Sequence, residues 1–378
     1  WRGSSNVPFW ASKENVGMTY EWVESAYGRG GLVDCIEPLQ DKECRFSRPY
    51  IVSSTPARAV VKWRYALIDL EYTIADEEWA EEMYYFYPDG FGVRRAEGYI
   101  LPLNWHEANE FIVLTPAGVN PFDVFHDPAV EIMSPDGEIK NTVSFPRPDG
   151  EWTEGMPAVS RVNWPRDDPF TPVMATRVFN NFIVQYDGWK VDGRYISPSY
   201  WGVHWPVTRG YPTTRHAPPG WRMRPAHASL MAIDSEPVDR KYYNKNLEAV
   251  TWAWLIGNTD APDERVLELS RAWVDPPGAE ADGAAGVYYD PGQRAYVVKE
   301  ARLPVRIRLR PGGGETAANP AFVLRGAAPE GVEVRIDGRK AGADEYRYGA
   351  ERTWNRADGV LWLNRSLAAG EELEIRGR

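Results

Sequence analysis

Apolar residues along this chain recur at every second position or gather in short unbroken runs of β-branched and aromatic side chains. Examples are Ala59-Val60-Val61-Lys62-Trp63-Arg64-Tyr65, Met83 to Tyr87, Glu110-Phe111-Ile112-Val113-Leu114, Arg177 to Tyr186 and Val250 to Ile256. Each run has strand length and turn residues fall between the runs, so the pattern predicts β-strands. Pro-Asp-Gly triplets at Pro88-Asp89-Gly90, Pro135-Asp136-Gly137 and Pro148-Asp149-Gly150 predict hairpin turns. In each, Pro presets φ at the first turn position and Gly accepts a positive φ. One segment changes period. Asp260-Ala261-Pro262-Asp263 caps a predicted helix through Val274, with Val266, Leu267, Leu269 and Trp273 on one stripe and Pro276-Pro277 as the stop. The acidic run Asp76-Glu77-Glu78-Trp79-Ala80-Glu81-Glu82 reads as a solvated loop or helical turn before a strand.

From Pro276 to Gly286 the composition shifts to Pro, Gly, Ala and acidic residues, which reads as a linker. Beyond it, Val305-Arg306-Ile307-Arg308-Leu309 and Val332-Glu333-Val334-Arg335-Ile336 resume the strand alternation. The expected fold is all-β. It comprises a large antiparallel, supersandwich-like β-sandwich over 1–275, a linker over 276–286 and a smaller immunoglobulin-like β-sandwich over 287–378. The 31 Pro and 33 Gly suit such a many-turn antiparallel fold.

Charge narrows the partners. The chain carries 43 Lys and Arg against 54 Asp and Glu, a formal net charge of −11. That balance repels phosphate backbones and anionic membrane surfaces, so nucleic-acid binding is not expected. No apolar run is long enough to predict a transmembrane helix. No Gly-rich phosphate loop, dinucleotide fingerprint or Gly-x-Ser-x-Gly elbow is present, and no organic cofactor is expected. The chain opens at Trp1 without a Met or a leader, which reads as a mature or trimmed product. Cys35 and Cys44 are the two cysteines, and a local disulfide between them would indicate an oxidising, extracellular or periplasmic compartment. Two free thiols are the alternative. Neither a Cys-x-x-Cys motif nor a Cys/His ligand set exists, so no metal is expected.

The candidate chemistry lies in one stretch. Between Asp192 and Asp234 there is no acidic residue, while Arg194, Arg209, Arg215, Arg222 and Arg224 fall there with His204, His216 and His227. Tyr195, Tyr200, Trp201, Trp205, Tyr211 and Trp221 are interleaved with them. Positive potential among aromatic rings, in a chain of this net charge, points to a uronate- or sulfate-bearing sugar. Arginine matches carboxylate and sulfate geometry bidentately, and sugar rings stack on aromatic faces. A Pro-rich surface loop whose arginines pair with acids elsewhere is the alternative. Seventeen Trp, twenty Tyr and twelve Phe in the whole chain fit sugar stacking, and large sandwiches also pack aromatics. Outside the stretch, Arg64 lies between Trp63 and Tyr65 in an apolar strand, where a charge must be paired or face a cleft. Tyr87 precedes the first Pro-Asp-Gly turn and Arg94 follows it, while Asn104-Trp105-His106-Glu107 reads as a loop cap or a ligand-contacting loop.

Several segments resemble large secreted bacterial proteins that include enzymes of ulvan-lyase type. They are Trp1 to Ser5, Glu37 to Ser47, Val61 to Leu67, Tyr87 to Arg94 and His204-Trp205-Pro206-Val207, in discontinuous stretches over roughly 1–275. The resemblance implies a polysaccharide lyase that cleaves an anionic glycan by β-elimination. The expected catalytic set is His204 as base or carboxylate neutraliser, Tyr87 or Tyr211 as the proton-transferring phenol, and Arg64 gripping the carboxylate or sulfate. Arg209, Trp205, Arg94, Glu107 and His227 are the expected substrate contacts. Two alternatives stand beside it. One is a non-catalytic carbohydrate-binding or cell-surface structural protein. The other is a glycoside hydrolase using two acids.

Overall fold

The computed structural model describes residues 6–25, 32, 36–100, 105–116, 119, 124, 126, 130–138, 140–142, 158–163, 168–177, 182–183, 189–191, 194–196, 226–233, 236–237, 243–244 and 249–378. The chain is an all-β sandwich protein, as the two-residue alternation predicts. A ten-stranded antiparallel sheet dominates. Its strands are β1 (Arg48–Ser54), β2 (Ala59–Ile68), β3 (Ile74–Phe86), β4 (Phe91–Tyr99), β5 (Val130–Met133), β6 (Lys140–Thr142), β7 (Ala158–Val162), β8 (Thr171–Thr176) and β9 (Ala249–Thr259). They lie in the order β6-β5-β7-β8-β9-β4-β3-β2-β1, and Tyr243–Asn244 adds a short strand against β9.

Alternation decides which face each residue serves. In β2, Val61, Trp63 and Tyr65 point inward, while Lys62 and Arg64 point to the opposite face. Register then carries that choice across the sheet. Trp63 opposes Glu82 and Tyr84 opposes Arg94, while Arg94 opposes Trp254. A second sheet covers the inner face, in the order Trp10–Ala11, Gly17–Thr19, Glu110–Thr115, Ala226–Ile233, Phe182–Ile183. Met18, Trp63, Tyr65, Phe111, Val113 and Trp254 belong to the core enclosed between the two sheets.

The turn chemistry is as expected at two of the triplets. Gly90 and Gly137 both have φ of +81°, and each N–H donates to the carbonyl three residues back, Tyr87 and Ser134. The third triplet, 148–150, lies outside the described residues. Helix α1 (Asp263–Val274) buries Val266, Leu267, Leu269 and Trp273 against the outer face of the large sheet, near Val93, Val173 and Leu255.

Two expectations need correction. The acidic run Asp76 to Glu82 is part of strand β3, not a solvated loop or helical turn. Glu78 and Glu82 are fully buried there: Arg94 of the neighbouring strand supplies the counter-charge for Glu82, and Glu78 lies against the His106 ring. Asp76 and Glu77, with φ of +44° and +59°, form the irregularity that shifts the register of β3 against β2. The stretch read as a linker also holds a strand, Gly278–Asp282, which pairs with Val305–Arg310. Its small and acidic residues occupy a sheet edge beside the arginines of that neighbour.

From residue 278 onward two five-stranded sheets pack around Tyr296, Phe322, Leu361 and Ile375. Their pairing is antiparallel except between Ala295–Lys299 and Ala321–Leu324, which run parallel. One of these sheets also rests on the large sheet through Ala57, Tyr87, Val297, Val323 and Trp362.

Candidate functional site

The inner face of the large sheet holds a buried polar network beneath a row of rings. Arg94 Nη2 and Nε donate to Glu82 Oε1 and Oε2 at 2.7 and 2.8 Å, and Nη1 donates to the carbonyls of Tyr20 and Ala108 at 3.0 and 2.9 Å. The guanidinium lies 4.7 Å from the Trp254 ring centroid, with Arg94 and Glu82 both shut off from solvent. Tyr65 and Tyr84 donate their hydroxyls to Glu82 as well. Burial pushes both phenols well above the usual tyrosine range, and the Glu82 charge adds to the effect. A buried pair this fully hydrogen-bonded links the sheets, since Arg94 reaches backbone of the covering layer.

Above this network opens a cleft of about 510 Å³. Phe9, Trp10, Tyr20, Trp63, Tyr84 and Phe86 line it with Val61, Met18 and Ile256. Trp10 meets Phe86 edge-on at 5.6 Å. The Tyr20 hydroxyl is engaged, donating to the carbonyl of Val173 at 2.6 Å. Phe9, Trp10 and Phe86 keep exposed ring surface there while Trp63, Tyr20 and Tyr84 are buried, and exposed aromatic faces are what a sugar ring stacks on.

Away from α1, the outer face carries charge instead. Arg64 is exposed, 4.9 Å from the Trp79 ring centroid and 3.6 Å from Glu81. Glu81 also takes Lys62 at 2.6 Å, while Glu97 pairs with Arg95 and accepts the Tyr99 hydroxyl at 3.3 Å. Trp63 and Tyr65 flank Arg64 in sequence but project from the other side of the sheet, so Arg64 does not face the ring-lined cleft.

Tyr87 lies where the large sheet meets the C-terminal sheets. Its hydroxyl donates to the carbonyl of Gln293 and accepts from Arg58 Nη1 at 3.2 Å. Arg58 continues bidentately to Glu351, both bonds 2.7 Å, and Arg294 stacks 4.9 Å from the Tyr87 centroid while pairing with Asp89. Burial raises the Tyr87 phenol, against the pull of Arg58. Both expected roles therefore need revision: Tyr87 is a joint between packed sheets and Arg94 a buried bracket, because each has its polar atoms committed to protein partners.

The remaining expected site residues fall as follows. His204, Arg209, Trp205 and Tyr211 lie outside the described residues, as does Cys35, so the Cys35–Cys44 pairing does too. His227 sits in the strand Ala226–Ile233 opposite Leu114, and Glu107 in a three-residue strand opposite Glu24. Beside Glu107, His106 is buried, with Nε2 3.2 Å from Glu78 Oε1. Arg64, Arg94 and Tyr87 are not brought together; Arg64 and Arg94 occupy opposite faces of one sheet. Sequence reasoning missed the cleft residues Trp10, Tyr20 and Phe86, and Arg48 on the outer face. Alternation marks Trp63, Tyr84 and Phe86 as one-sided, but only strand register joins them to Tyr20. Among the described residues no three His, Cys, Asp or Glu side chains converge as a metal would require.

No helix among the described residues is long and apolar enough to cross a membrane. No known protein family matches the chain, and no curated protein matches it.

Proposed function

We propose that this protein acts on an anionic polysaccharide, as a secreted lyase that opens a uronate by β-elimination. The observation that carries the reading is the stretch between Asp192 and Asp234, acid-free yet rich in Arg, His and aromatic residues in a chain of net charge −11. The ring-lined cleft of a broad β-sandwich supports it. In the reaction, a cation such as Arg209 neutralises the uronate carboxylate and acidifies the C5 proton. His204 or Tyr211 takes that proton, its electron pair forms the C4–C5 double bond, and the C4–O bond breaks. A protonated group then delivers a proton to the departing O4. Arginine, histidine and tyrosine supply these roles without a cofactor.

A second reading is a non-catalytic glycan-binding protein. It is favoured by the state of three phenols: Tyr65, Tyr84 and Tyr87 are buried, hydrogen-bonded and shifted upward, and none of the three is poised to exchange a proton with a ligand.

Incubation with ulvan, alginate, pectin and glycosaminoglycans, followed by the ultraviolet absorbance of the unsaturated uronate product, separates the two. A rise that His204→Ala abolishes is expected. Absence of any rise with all four, in protein that still binds one of them, would replace the lyase by the binding protein. Reducing ends released without that absorbance would favour a hydrolase.

A further inference from the structure

We infer that the outer face of strands β1 to β4 is a second glycan-binding surface, a cationic ledge on which Arg48 and Arg64 clamp one carboxylate or sulfate. The inference rests on the anionic-glycan reading and assigns a surface to it. Arg48 and Arg64 are directly opposed across the β1–β2 pair, and both are exposed. Like charges in that relation repel, and an antiparallel sheet gains by replacing one of them unless an anion lies between. Opposed residues sit about 5 Å apart at Cα, so two guanidinium forks can converge on a single anionic group.

The surroundings point the same way. The next row along the strands is Tyr50, Lys62, Met83 and Arg95, and the row beyond Arg64 ends in Trp79 opposite Tyr99. Among the described residues of these four strands, Arg48, Lys62, Arg64 and Arg95 face the acids Glu81 and Glu97. Lys62 and Arg64 share Glu81, Arg95 takes Glu97, and Arg48 makes no ion pair with any described residue. Local charge is therefore positive in a chain of net −11. Arg64 lies over Trp79 on the β3 side with more than half of its side chain open to solvent, and Tyr50 is 51% and Tyr99 36% exposed, leaving ring faces at both margins. Three rows across four strands cover about 14 by 14 Å, enough for two or three sugar residues. Rings at the margins of a charged patch suit a sugar acid, whose C–H faces stack while its anionic group is gripped.

Affinity electrophoresis through gels containing alginate or polygalacturonate tests this directly, with wild type compared to Arg48→Ser/Arg64→Ser. The expected result is retardation of wild type and a loss of about tenfold in apparent affinity in the double variant, as for removal of a bidentate charged contact. Arg306→Ser/Arg308→Ser, at exposed positions of a strand in the C-terminal sheets, should be retarded like wild type. An unchanged melting temperature shows that the variants remain folded. Equal retardation of wild type and the Arg48/Arg64 variant would overturn the ledge and leave the anionic-glycan reading standing. No retardation of wild type by any anionic glycan would overturn both. Equal retardation by single-stranded DNA would overturn the glycan as its occupant.

Discussion

The hydroxyl of Tyr87 donates to Gln293 and accepts from Arg58, so both of its hydrogen-bonding directions are used between two packed sheets. Tyr87→Phe leaves those partners short of a bond in a buried place and should cost about 1–2 kcal/mol in urea unfolding. If the phenol is structural, glycan turnover at saturating substrate is unchanged; a loss of turnover with unchanged stability would restore it as a proton carrier. The upward shifts of Tyr65, Tyr84 and Tyr87 carry a pH dependence of known sign. An unfolded tyrosine ionises near pH ~10, whereas these stay neutral in the native state, so their contribution is complete below pH ~10 and fades as pH rises above it. Phenolate absorbance should therefore rise in two steps on alkaline titration, the second coinciding with loss of near-ultraviolet circular dichroism. A single step before any unfolding would contradict the burial of these phenols.

Among the elements, β3 and β4 pair closely around Gly92. A Cβ at Gly92 would stand 2.5 Å from the Tyr85 carbonyl oxygen and 2.8 Å from Phe86 Cδ1. Gly92→Ala should destabilise by about 1–3 kcal/mol, read from the denaturation midpoint. A neutral effect would mean that the strands separate more easily than their pairing implies. The strands themselves were legible because alternation and turn residues are local: Ala59 to Tyr65 and the Pro-Asp-Gly turns announce themselves within a few residues. The helix was legible for the same reason, with its buried stripe and proline stop. What stayed hidden depends on register. Nothing near Glu82 in sequence reveals that Arg94 lies within bonding distance across the strand pair, so a buried acid read as solvated. Arg48 and Arg64 are sixteen positions apart, and only the pairing of β1 with β2 opposes them. The linker reading of 276–286 failed similarly, since composition resembles a loop until Val305–Arg310 is seen to pair with it. Of the candidate site, His204, Trp205, Arg209 and Tyr211 lie outside the described residues, and the faces on which Arg64, Arg94 and Tyr87 fall were not legible, because they too depend on register.

At the scale of the whole molecule, the large sheet and the C-terminal sheets meet through a set of interlocking charges. Asp89, at the tip of the first Pro-Asp-Gly turn, takes Arg294 and the side-chain amide of Asn319, and Arg58 holds Glu351 and Gln293. Trp273 of α1 adds a bond from Nε1 to the Pro291 carbonyl at 2.9 Å. Removing one side of such a buried pair strands the other charge, at a cost of about 3–5 kcal/mol. Arg58→Ala combined with Asp89→Ala should split the calorimetric melting curve into two transitions, one for each body of sheets. A single transition, merely lowered, would show that apolar packing around Trp362 couples them without the charges.

The central claim is that the ligand is a sugar acid. Its most direct test is calorimetric titration of the protein with polygalacturonate and with the same polymer after reduction of its carboxyl groups to alcohols. Binding to the acid form that weakens steeply with added salt, and none to the reduced form, is the predicted result. Equal affinity for the two forms, or heat from neither, would contradict it.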